Sequence, residues 1–71
     1  MESIWSEVKN DYSDDRFVHI DAYLTDDENE NGKVIALVKI STGEIEYHDK
    51  RARTDEYAQE IINDAISRLK Q

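Results

Sequence analysis

The residues of this chain best equipped for chemistry stand together in the stretch DDENENG, Asp26 to Gly32. Every position from Asp26 to Asn31 offers a carboxylate or amide oxygen, the ligand type that hard divalent cations take. A calcium loop needs oxygens at its first, third and fifth positions, glycine at the sixth and a bidentate glutamate at the twelfth. Asp27, Asn29, Asn31 and Gly32 meet the first four requirements, but the twelfth position is Val38. Asn31-Gly32 is equally a pair that favours a tight hairpin turn. The expectation is a turn between two strands, holding calcium weakly at most.

Two histidines form the next constellation. His19 and Asp21 fall on one side of an extended segment with Tyr23 beyond them, and His48 ends another. Two imidazoles and a carboxylate are a conceivable zinc set, and a histidine near an acid is a start for proton transfer. Either chemistry also needs a pocket and an orienting group. No nucleophile motif or phosphate-cradling glycine loop is present. The expectation is a protein that is not an enzyme, with no resident metal and no cofactor. Cysteine is absent, which excludes disulfides and thiolate sites and suits a reducing compartment. Met1-Glu2-Ser3 begins no basic and apolar leader pattern, so no signal peptide is expected, and the longest apolar run, Val34 to Val38, is far too short to cross a bilayer. A soluble, cytoplasmic protein without membrane contact is expected.

Charge divides unevenly. Residues 1–31 hold Lys9 and Arg16 against ten acids, whereas residues 32–71 hold seven of each sign. The whole net charge of −8 therefore lies in the first part. Its acids concentrate at Asp11, Asp14 and Asp15 and at Asp26, Asp27, Glu28 and Glu30. Such a surface repels polyanions and steers basic partners.

Periodicity places the elements that position these groups. Ile4, Trp5, Val8 and Tyr12 trace a helical stripe after Ser3 as N-cap, predicting a helix over about 4–11. Ser13, Asp14 and Asp15 read as a turn. Strands follow over about 17–24, 33–40 and 44–48. In the first, Val18, Ile20, Ala22 and Leu24 alternate with Phe17, His19, Asp21 and Tyr23; in the second, Val34, Ala36, Val38 and Ile40 are assigned to the core. Gly32 and Gly43 are both expected at turns with positive φ. Ala58, Ile61, Ile62, Ala65, Ile66 and Leu69 then mark an amphipathic helix over about 55–70, capped by Thr54. The resulting fold class is α+β: a single small two-layer domain of order α-β-β-β-α. Its three-stranded antiparallel meander carries the C-terminal helix on one face.

Lys50, Arg51 and Arg53 stand just before that last helix. In order and length the chain resembles the architecture of double-stranded RNA-binding domains, in which a basic cluster at this point grips phosphate. The resemblance implies that these three residues would contact the nucleic-acid backbone. Asp55 and Glu56 depart from the pattern, and a net charge of −8 opposes binding a polyanion. Direct nucleic-acid binding is therefore not expected.

The assigned register leaves Ile35 and Leu37 on the face opposite the helices, beside Phe17, His19 and Tyr23. A solvated sheet face normally carries polar residues, so these five residues are a candidate interface unless the first helix covers them. The expected function is a small acidic, non-enzymatic module that binds a protein partner, or itself, through this face. The alternative is an acidic nucleic-acid mimic that fills the basic groove of a DNA- or RNA-handling protein.

Overall fold

A computed structural model of the chain describes residues 3–24 and 32–70. It is a small α+β domain: strands β1 (Trp5–Asp11), β2 (Phe17–Leu24), β3 (Lys33–Lys39) and β4 (Ile45–Tyr47), a 3-10 turn (Lys50–Arg53), and helix α1 (Glu56–Leu69). The strands form one antiparallel sheet in the order β1-β2-β3-β4, and α1 packs across one face. The expected three-stranded meander is thus four-stranded, and the order begins with a strand rather than a helix.

The first segment misleads because of a β-bulge. Trp5 pairs with Leu24 and Glu7 with Tyr23, so Ser6 is an extra residue. A bulge adds one position to the period of two, and this puts Trp5 and Val8, three apart, on the same buried face. That spacing imitates a helical turn. The other two residues of the apparent stripe, Ile4 and Tyr12, are 39% and 44% exposed. Ser3 caps nothing in this segment; its Oγ accepts from the Trp5 N–H and donates to Asp55 Oδ2 at 3.0 Å, joining the strand to the start of α1.

A second bulge rewrites β3. Ile20 faces Ala36 but Asp21 faces Val34, leaving Ile35 as the extra residue. Ile35 and Ala36 consequently both enter the core, each 0% exposed, and Val34 turns to the other face. The Ile35 carbonyl accepts from the His48 and Asp49 N–H groups, which steers the chain out of β4. The expectation that Ile35 lies exposed is therefore overturned. An unbulged strand would put Lys33 and Lys39 on one face with Ile35 and Leu37; the bulge puts Lys39 opposite Phe17 but Lys33 on the core side. Lys33 sits at the rim there, its ammonium 3.0 Å from Asp49.

The core comprises Trp5, Val8, Val18, Ile20, Ala22, Ile35, Ala36, Val38 and Ala52 against Ala58, Ile62 and Ala65 of α1. Small residues at 58 and 65 bring the helix backbone close to the sheet. Its N-cap is Asp55, one residue beyond Thr54, with the carboxylate accepting from the Ala58 N–H at 2.9 Å. Gly43 has the expected positive φ of 77°. Gly32 does not; a Cβ there would lie 2.6 Å from the Tyr23 ring, so the missing side chain is what lets that ring lie over the backbone.

Candidate functional site

Because α1 covers one face and the first segment is a strand, no described element covers the other face. That face is built by cross-strand pairs: Glu7 with Tyr23, Lys9 with Asp21 and Asp11 with His19 between β1 and β2. Between β2 and β3 the pairs are His19 with Leu37, Phe17 with Lys39 and Asp21 with Val34, and Glu46 of β4 flanks Leu37. Phe17, His19, Tyr23, Val34 and Leu37 are each half-buried, shielded by one another rather than by a second layer.

Four of the five candidate interface residues thus share the face: Phe17, His19, Tyr23 and Leu37. Ile35 leaves it for the core, and Val34 takes its place. The β1 contribution (Glu7, Lys9 and Asp11) was hidden because a helical reading gave that segment no place in the sheet. A glycine one position beyond an acidic link, matched to an aromatic residue on the partner strand, was the signal for the other end. There the Tyr23 ring lies over Gly32, and the Lys9 ammonium sits 5.1 Å from its centroid.

The carboxylates around the face differ in their duties. Asp11 accepts from the Ser13 N–H at 2.9 Å and Asp14 from the Arg16 N–H at 2.7 Å, which shapes the β1–β2 hairpin. Asp14 also meets His19 Nε2 at 3.0 Å. The hydrogen bonds to Ser13 lower the carboxyl pKa of Asp11, and those to Arg16 and then to His19 lower that of Asp14. Asp21 behaves oppositely: burial, and then the charge of Asp11, raise it above the usual carboxylate value. Asp15 is exposed in the same hairpin.

Asp26, Asp27, Glu28 and Glu30, and with them most of the stretch expected to form a turn, lie outside the described residues. The link carrying them leaves β2 at Leu24, whereas the Asp11–Asp15 hairpin joins it at Phe17. Seven residue steps at about 3.3 Å separate these ends by roughly 23 Å. The two acidic segments therefore attach at opposite ends of the sheet, with Phe17, His19 and Tyr23 between. His19 and His48 do not converge: β3 lies between them, and each has its own acid, Asp14 at 3.0 Å and Glu46 at 3.6 Å. Among the described residues no three histidine or acidic side chains are grouped to hold a metal ion.

Two of the three bases before α1, Arg51 and Arg53, contact neighbours within the domain. Arg51 donates from Nε and a terminal nitrogen to both oxygens of Asp49, at 3.0 and 2.7 Å, and lies 5.8 Å from the Trp5 ring. Arg53 stacks over Tyr47 at 5.6 Å. With a strand in place of the first helix, the element order behind the likeness to RNA-binding domains is not found, although the three bases still precede α1. At the far end of the sheet, Asp15, Arg16, Phe17, Lys39, Ile40 and Ser41 line an open groove of about 450 Å³ that runs into the uncovered face through Phe17 and Lys39.

No protein-family model matches the chain, and no curated protein or solved structure matches it either.

Proposed function

We propose that the protein is a small interaction module that binds a protein surface, its own or another's, through the uncovered face of its sheet. One observation carries this reading: an aromatic and aliphatic strip of Phe17, Tyr23, Val34 and Leu37 lies on a face that no described element packs against. An isolated exposed apolar residue means little, but a contiguous strip of this kind is a surface suited to exclude water against a partner. The opposite face shows the contrast, since there Val18, Ile20, Ala22, Ala36 and Val38 are sealed in the core with α1.

Leu37→Lys tests the reading. The residue is half-buried among neighbours and has no second layer above it, so the variant should melt within a few degrees of the parent. The same change places an ammonium in the middle of the strip and should weaken self-association in sedimentation, or binding of whatever protein is recognised. A collapse of the melting temperature would make Leu37 a core residue and remove the proposed interface.

A further inference from the structure

We infer that the occupant of the uncovered face is a basic segment of a different protein, its apolar side chains along β2 and β3 and its lysines or arginines on the flanking carboxylates. This rests on the interaction reading above. The strip is bordered by Glu7 and Asp11 on β1, Asp21 on β2 and Glu46 on β4, with Asp14 at the hairpin. Against these five carboxylates stand three cations, Lys9 and Lys39 on the strands and Arg16 at the hairpin. Lys9 is the nominal partner of Asp21 across the strands, but its ammonium lies over the Tyr23 ring instead.

Asp21 consequently forms no hydrogen bond or ion pair with a described residue. Asp11 is its diagonal neighbour, at the roughly 7–8 Å typical of such positions on adjacent strands. Partial burial, and then the Asp11 charge, work against ionised Asp21, and the nearby His19 and Lys9 offset them only in part. A guanidinium or ammonium set between the two carboxylates relieves that cost, and a neutral partner leaves it in place. A second copy of this chain would bring the same five carboxylates against themselves, adding like-charge repulsion between chains of net charge −8. Nucleic acid and anionic lipid are repelled for the same reason. A cationic, partly apolar polypeptide is the remaining occupant that satisfies both strip and border.

The test is an NMR titration of the isotope-labelled full chain with a synthetic amphipathic peptide of leucine and lysine, and in parallel with its leucine and glutamate counterpart. The exposed carboxylates of α1, Glu56, Glu60 and Asp64, serve as an internal control because they adjoin no apolar strip. The lysine peptide should shift Asp11, Phe17, His19, Asp21 and Leu37 and leave the α1 carboxylates in place. Asp21→Asn should weaken it by about threefold, the size expected of one partly exposed pair, and added salt should weaken it further. Equal binding of the glutamate peptide, or indifference to Asp21→Asn, would overturn the charge inference while leaving the interface intact. Lysine-peptide shifts as large at Glu56, Glu60 and Asp64 would reduce the attraction to net charge and also overturn it. If neither peptide disturbs the face, the interaction reading itself fails.

Discussion

Ile35→Ala and Leu37→Ala, measured side by side, report directly on the bulge in β3. In an unbulged strand these two residues share a face and lose similar stability when truncated. In the bulged strand Ile35 is 0% exposed between sheet and helix, whereas Leu37 is half-buried on the open face. Truncating a sealed isoleucine costs about 2–5 kcal/mol, because the contacts are lost and a cavity remains. For Leu37, roughly half the value of a fully buried side chain is at stake, about 1 kcal/mol. A domain of this length holds on the order of 4–10 kcal/mol in total. With about 4–8 °C lost per kcal/mol at this size, Ile35→Ala should melt about 8–40 °C below the parent and Leu37→Ala within about 8 °C. Circular dichroism melts with matching urea titrations make the comparison. Equal losses, or a larger loss at Leu37, would mean that the strand runs without its bulge and that the face described above is wrongly composed.

Three further outcomes follow from the same geometry. Ile62→Ala, on the sealed stripe of α1, should cost about 2–5 kcal/mol, and exposed Ser67→Ala almost nothing; similar melts would put the helix in the wrong phase. Asp49, with a side chain only 10% exposed, is held well below the usual carboxylate range chiefly by the Arg51 guanidinium, opposed by burial and assisted by Lys33. A depressed folded-state pKa gives stability that is full above the unfolded value near 3.8 and declines as pH falls below it. Asp49→Asn should therefore lower the urea midpoint at pH 7 and flatten its fall between about pH 5 and pH 2, and an unchanged acid slope would refute this assignment. Gly32→Ala should displace the half-exposed Tyr23 ring, a movable group, at little cost in melting temperature; NMR shifts of Lys9 and Tyr23 identical to the parent would show that the ring does not lie there.

Regular elements declared themselves in the sequence and bulged ones did not. Helix α1 was legible because its stripe runs unbroken from Ala58 to Leu69, and only the cap was displaced, from Thr54 to Asp55. Strand β2 was legible at both ends because Val18, Ile20 and Ala22 alternate without interruption. In β1 and β3 one added residue changes which neighbours share a face, and no residue type in either segment announces it. Ser6 is ordinary, and Ile35 sits in an apolar run that suits either face. The candidate site inherited this division: its β2 residues and Leu37 were found, whereas Val34, Glu7 and Lys9 came to light only with the pairing. The acids of the hairpin were visible as charge, but their work as backbone acceptors was not.

The contacts between β1 and α1 have a consequence for biosynthesis. Ser3 reaches Asp55 and Asn10 reaches Asp64, so the earliest strand to be made is tied to the last helix. All four strands emerge from the ribosome before that helix does, and each pairs with its neighbour in the chain. The meander can therefore form during translation, but its inner surface, with Ile20, Ile35 and Val38, stays wet until α1 arrives. Over that interval the nascent sheet shows an unsealed core surface on one side and the charge-bordered apolar strip on the other. The acids of residues 1–31 are already attached by then, and like net charge opposes contact between such chains.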